Sequence, residues 1–89
     1  MDGHSVISSE VLARYAADAA AEVPGVHTRQ KRGARVSGAG LEVHVVVDYG
    51  ANVPSVAAEV QQRVADYLER MTDVRPAAVH VVVDDVQRP

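Results

Sequence analysis

The sequence predicts an α/β domain of the two-layer α+β type, with two helices packed on one face of a three-stranded mixed sheet, in the order αββαβ. Three observations predict this fold: two segments repeat apolar residues at helical spacing, three short segments are rich in valine, and Gly or Pro separates them. A chain of 89 residues fits one domain. We therefore expect residues 1–89 to form a single domain that is frayed at 1–5 and 87–89.

The first helix is predicted over residues 8–22. Ser8 is a suitable N-cap, and the sequence "VPG" at 23–25 ends the helix. Its apolar stripe consists of Val11, Leu12, Tyr15, Ala16, Ala19 and Ala20.

A hairpin is predicted next, with a strand at 34–37, a turn at 38–40 and a stronger strand at 41–49. The sequence "SGAG" precedes a strand and lacks the Lys-Ser/Thr of a phosphate-binding loop, so a turn is favoured. Alternation places one set of side chains inward: Val43, Val45, Val47 and Tyr49. The opposite face carries Glu42, His44, Val46 and Asp48.

The second helix is predicted to begin at Pro54, which suits the first helical position, and "TDVRPAA" ends it. Its apolar stripe consists of Val56, Val60, Val64, Tyr67, Leu68 and Met71. The last strand, at 79–86, has Val79, Val81 and Val83 as its inward set. A strand, helix and strand in one sheet predict a right-handed crossover, with the last strand parallel to the strong one.

The composition limits the classes of function. The core is shallow, because 19 valines and 14 alanines occur without any Phe or Trp, and this favours self-association. The absence of cysteine excludes disulfides, thiolate nucleophiles and zinc-thiolate sites. No apolar run approaches the roughly 20 residues that span a bilayer, and the polar, acidic start is unlike a signal peptide. A reducing cytoplasm is compatible with this composition, direct membrane insertion is not expected, and the net charge of -3 makes nucleic acid an unfavoured partner.

The segment 27–35 contains the densest positive charge in the chain, on Arg29, Lys31, Arg32 and Arg35. It has no interleaved aromatic residues on which bases could stack. We expect a mobile loop, and two interpretations stay open: a solvated loop, or a surface for phosphate, anionic lipid or an acidic protein.

Candidate catalytic and metal-binding groups are few. Asp48, Asp84 and Asp85 end two strands at one sheet edge, where they could hold a hard cation, but solvated strand ends are favoured. His44 and His80 would face each other on neighbouring strands, but two imidazoles are too few for a zinc site. We therefore expect no catalytic residue, no metal, no cofactor and no small-molecule substrate.

The sheet face without helices is predicted to be mixed in character, with Val46 and Val82 exposed in its middle. Such a face, or its edge strand, is a surface for pairing with another copy or with a partner. The predicted partner-binding residues are therefore Arg29, Lys31, Arg32, Arg35, His44, Val46, His80 and Val82.

Three stretches together resemble one family: "ISSEVLARYAADAAAEVPGV" at 7–26, "VVVDYGANVPSVAAEVQQRVADYLERMT" at 45–72 and "VHVVVDDV" at 79–86. Their order and spacing resemble the bacterial alkaline shock, or envelope stress response, proteins. The chain departs from that pattern in two places, with Asp73 where glycine usually follows M-T and His80 where asparagine is typical. The first departure affects the cap of the second helix, and the second alters the outward sheet face.

The resemblance implies a non-catalytic cytoplasmic interaction module in envelope or alkaline stress, which assembles with itself and docks on a membrane-associated protein. Two alternatives remain. A small domain with one basic loop could bind nucleic acid or an anionic ligand through 27–35. An enzyme that uses the strand-end aspartates is less favoured, because a chain of this size has little room for a pocket.

Overall fold

The computed structural model describes residues 8–28, 33–38 and 40–88. In chain order the elements are α1 (Ser9–Ala21), β1 (Val26–His27), β2 (Ala34–Ser37), β3 (Gly40–Asp48), α2 (Val53–Thr72) and β4 (Val79–Gln87). The predicted fold class is confirmed, with one strand more than predicted. The frayed N-terminus expected at 1–5 lies outside the described residues, and β4 continues to Gln87, one residue beyond the predicted 79–86.

The strand β3 is the centre of a mixed sheet. β4 pairs with it in parallel from Leu41 and Val79 to Asp48 and Gln87, as the crossover predicts. β2 pairs antiparallel with the first half of β3, which confirms the predicted hairpin. β1 pairs antiparallel with the second half. Because β4 follows β3 along one side, β1 and β2 share the other side.

The additional strand β1 corrects the expected limits of the basic loop. Val26 is only 4% exposed and pairs with Val47, and His27 pairs with Val46. At the other end, Arg35 lies in β2 opposite Glu42. Both ends of the segment 27–35 are therefore held in the sheet, and residues 29–32, with Arg29, Lys31 and Arg32, lie outside the described part of the chain.

The pairing of β3 with β4 contains an irregularity. Val45 pairs with Val83, but the next residue, Val46, pairs with Asp85. Asp84 is therefore an extra residue in β4, as in a β-bulge. This local change re-aims the side chains at the end of β4.

The hydrophobic core lies between the two helices and one face of the sheet. Its largest fully buried side chains are Val43, Val45, Val47, Val60 and Val64. Small residues of α1, Ala16, Ala19 and Ala20, are 0–1% exposed, and this allows α1 to approach the valines closely. Val79, Val81 and Val83 pack against this cluster, as predicted.

Two predicted inward residues are instead exposed. Tyr49 is 62% exposed because β3 ends at Asp48, and its ring lies 4.8 Å from the guanidinium carbon of Arg88. Met71 is 46% exposed, because the last buried residue of α2 is Leu68 and the helix continues beyond the core.

The cap of α1 is the predicted one, whereas both ends of α2 differ from a simple pattern. The side chain of Ser8 accepts from the Val11 N–H, and that of Asn52 accepts from the Ser55 N–H. Asn52 is the cap of α2, so Pro54 occupies its second position instead of its first. At the other end Asp73 takes a left-handed conformation, with φ of 62°, and its N–H donates to Glu69 O at 2.8 Å.

We predict that Asp73→Gly stabilises the protein by about 0.5 kcal/mol. The substitution relieves the strain of a left-handed residue that has a β-carbon, and this gain exceeds the extra entropic cost of ordering glycine on folding. Urea unfolding measures the change. Asp73→Ala is the control, since it removes the carboxylate but keeps the β-carbon. Equal stabilisation by both substitutions would mean that charge, and not backbone strain, limits this cap.

Candidate interaction surface

The helices leave one face of the sheet uncovered, which we call the open sheet face. Its side chains alternate with the buried valines of β3 and come from all four strands. They include His27, Arg35, Glu42, His44, Val46, Asp48, His80, Val82 and Asp84. Apart from Val46 and Val82, these side chains are charged or polar, so this surface differs from the core face.

An ion cluster of Glu42, His44 and Asp84 lies at the centre of the open sheet face. The two ring nitrogens of His44 lie beside two different carboxylates: Nε2 is 2.6 Å from Glu42 Oε1, and Nδ1 is 3.0 Å from Asp84 Oδ1. Both nitrogens can donate only when the imidazole is protonated. The side chains are about 26–33% exposed, so the cluster is half-buried.

The geometry of the cluster shifts two pKa values. The hydrogen bond to Asp84, and then that to Glu42, raise the pKa of His44 above its ordinary value of 6.5. The hydrogen bond from His44 lowers the pKa of Glu42 below its ordinary 4.5, and Arg35, whose Nε is 3.4 Å from Glu42 Oε1, contributes less. The result is a chain of alternating charges across β2, β3 and β4.

Asp84 enters the cluster diagonally, from the neighbouring strand. Val82 is the register partner of His44, and Asp84 lies two residues further along β4. Its two carboxylate oxygens are 3.0 and 3.1 Å from His44 Nδ1.

A second contact lies nearer the end of β3, where His27 Nε2 is 2.8 Å from Asp48 Oδ1. Both side chains are about half exposed, so the pair contributes little to stability. The contact nevertheless joins β1 to the end of β3 on the open sheet face.

The structure corrects two expectations about the predicted partner-binding residues. Val46 is only 9% exposed, because it lies in the central strand between its register partners His27 and Asp85. His44 and His80 do not face each other, since His80 is opposite Glu42. Val82 is 36% exposed, as expected, and Arg35 and His80 are exposed.

The histidine–carboxylate contacts were not predicted from the sequence. Strand alternation predicts Glu42, His44 and Asp84 on one face, but the sequence does not show the register that brings Asp84 diagonal to His44. His27 was assigned to a loop, and its contact with Asp48 depends on the pairing of β1 with β3.

The three strand-end aspartates have partners within the described part of the chain. Asp48 and Asp84 each contact a histidine, and Asp85 Oδ1 accepts from the Val86 N–H at 2.8 Å. Over residues 8–28, 33–38 and 40–88, no group of three or more His, Asp or Glu side chains is arranged to hold a metal ion. Neither helix in the described part of the chain is long and apolar enough to cross a membrane.

Comparison with known proteins adds two matches. A sequence model of the alkaline shock protein 23 family, described as having a cell envelope-related function, matches residues 32–88. Among solved structures, the chain is similar to a variant of the MamM CTD in which a histidine and a glutamate are replaced by alanine and a cysteine by serine. That similarity has a TM-score of 0.51 and 26% identity, and covers 88% of this chain and 95% of the other. No curated protein sequence gave a match.

Proposed function

Because this chain belongs to the alkaline shock protein 23 family, whose function is cell envelope-related, we propose that it is a non-catalytic interaction module of the envelope stress response. It acts in the cytoplasm, assembles with itself and docks on a membrane-associated protein. The single observation that carries this proposal is the open sheet face, since both helices pack on the opposite side and leave this one accessible.

The chemistry of the open sheet face suits a protein partner. Glu42, His44 and Asp84 are fixed by their mutual hydrogen bonds, so their charges are presented in one geometry. Arg35, whose side chain is 72% exposed, adds a cation at the side of this cluster. A surface of alternating fixed charges favours specificity and orientation in a protein complex.

The same contacts support the absence of catalysis. The strand-end carboxylates Asp48 and Asp84 lie within hydrogen-bond distance of histidines on the sheet, so each already has a polar partner within the chain. A general base needs a reacting group beside it in a site that excludes water, whereas these groups lie on an open face.

Binding of nucleic acid or of another anion through the segment 27–35 receives no specific support from the described residues. His27 contacts Asp48, and Arg35 contacts Glu42, so each described end of the segment is matched by a carboxylate. We keep this alternative as an outcome of the test.

Site-specific photocrosslinking tests the proposal. A photoreactive amino acid replaces either Arg35, on the open sheet face, or Arg63, on α2. The two positions are matched, since each arginine lies near one glutamate, Arg35 at 3.4 Å from Glu42 and Arg63 at 3.5 Å from Glu59. In cells under envelope stress, we expect position 35 to crosslink to a protein of the membrane fraction and position 63 not to do so.

Two results would contradict the proposal. Equal adducts from both positions, or none from position 35, would show that the open sheet face is not the docking surface. Adducts with nucleic acid at position 35, together with salt-dependent gel shifts of the purified protein, would favour the alternative.

A further inference from the structure

The outer edge of β4 is open within the described part of the chain. β4 is nine residues long, and its described pairing is with β3. Its valines Val81 and Val83 are only partly buried, although they pack against the core. An edge of this kind is a template for pairing with another strand.

The register shows which backbone groups point outward. Leu41 N–H donates to Ala78 O at 2.9 Å, so even-numbered residues in the first part of β4 direct their backbone groups toward β3. Val79, Val81 and Val83 consequently direct theirs toward the open edge. The Gln61 side chain confirms this direction, because its amide donates to Val79 O at 3.1 Å.

Two features limit the available part of the edge to residues 81–83. On one side, Gln61 of α2 already occupies the outward carbonyl of Val79. On the other, the extra residue Asp84 interrupts the regular alternation of β4. Between them, Val81 and Val83 offer two N–H and two C=O groups in a regular strand.

We propose that this edge pairs with the same edge of a second copy of the chain, antiparallel and about a two-fold axis at Val82. In this register Val81 lies opposite the partner's Val83, and the two residues exchange both of their backbone hydrogen bonds. Val82 lies opposite the partner's Val82, and His80 lies opposite the partner's Asp84.

The residues of β4 select this register over its neighbours. A shift of one residue sets outward backbone groups against inward ones, so the ladder cannot form. A shift of two residues in one direction centres the pairing on Val81 and requires the Val79 carbonyl, which already accepts from Gln61. A shift of two residues in the other direction centres it on Val83 and places Val81 opposite Asp85, beyond the bulge. Only the register centred on Val82 also brings an imidazole opposite a carboxylate, twice by symmetry.

The pairing rests on the proposed function, since it gives self-assembly a definite contact. It joins two sheets into one and places the two open sheet faces side by side, which doubles the docking surface for a partner. The contact is short, so the association is weak and depends on protein concentration.

Cysteine crosslinking tests the register. The chain contains no cysteine, so a single introduced thiol reports only on its own symmetry mate. In the proposed register the Cα atoms at position 82 are about 4.5 Å apart, within the range of a disulfide. Position 80 is the matched control on the same strand, because its two copies lie four residues, or about 13 Å, apart.

We expect Val82→Cys to form a disulfide dimer under mild oxidation at least about tenfold faster than His80→Cys. Equal rates, or faster dimerisation of His80→Cys, would overturn the register.

Sedimentation of the protein tests the interface itself, at concentrations up to about 1 mM so that weak association is detected. Val82→Lys sets two like charges opposite each other on the axis and raises the dissociation constant about tenfold or more. Val74→Lys is the matched control, since Val74 is 67% exposed and lies outside β4. A strict monomer in the unmodified chain, or equal effects of both lysines, would overturn the proposal. Crosslinking at position 35 is independent of this edge, so a failed pairing and a failed docking function are distinguishable.

Discussion

Gly40→Ala destabilises the protein by about 1–3 kcal/mol, a large loss for a domain of this size. A β-carbon at residue 40 would lie 2.8 Å from the carbonyl oxygen of Ala78 and 3.4 Å from its β-carbon. The nearest of these atoms belongs to the backbone, so no side-chain rotation removes the clash.

The neighbouring contacts explain why the chain cannot move aside at low cost. Ala78 O accepts the N–H of Leu41 at 2.9 Å, a bond at the start of the pairing between β3 and β4. Leu41 itself is 4% exposed and part of the core. Any displacement of Ala78 therefore weakens the first pairing of the parallel strands and shifts a buried side chain.

Chemical denaturation measures the effect, with Ser37→Ala as the control. Ser37 is the register partner of Gly40 and is exposed, so its substitution should change the free energy of unfolding by no more than about 0.5 kcal/mol. If Gly40→Ala were as stable as the control, the close approach of β3 and β4 at this point would be unimportant.

The regular elements could be predicted from the sequence because their signals are local. The alternating valines of β3 and β4 and the stripe of α2 through Val60, Val64 and Leu68 repeat with the strand and helix periods. The short strand β1 could not be predicted, since two residues contain no period. It forms because Val26 and His27 find partners on β3, far along the chain.

The open sheet face was predicted in outline but not in its contacts. Strand alternation placed Glu42, His44 and Val82 on one face. The bulge at Asp84 and the burial of Val46 depend on how neighbouring strands fit together, and this information is not local to any segment. The ion cluster is therefore a property of the sheet as a whole.

The cluster of Glu42, His44 and Asp84 predicts that folding stability falls as the pH rises through the raised pKa of His44. The folded state holds a proton on His44 at pH values where the unfolded chain, with a pKa near 6.5, has lost it. This contribution is fully present below the unfolded pKa and is lost above the folded one. At acid pH the sign is opposite for Glu42, whose stabilising contribution is present above its ordinary 4.5 and is lost as the pH falls through its lowered pKa.

Urea unfolding from pH 5 to pH 9 measures how the free energy of unfolding depends on pH. His44→Gln should remove the decline above about pH 6.5, because the glutamine amide does not titrate and carries no charge between the two carboxylates. His80→Gln is the matched control, an exposed histidine in β4 whose register partner is Glu42. We expect this control to retain the decline of the unmodified protein. An undiminished decline in His44→Gln, or its disappearance in His80→Gln, would place the responsible proton outside the cluster.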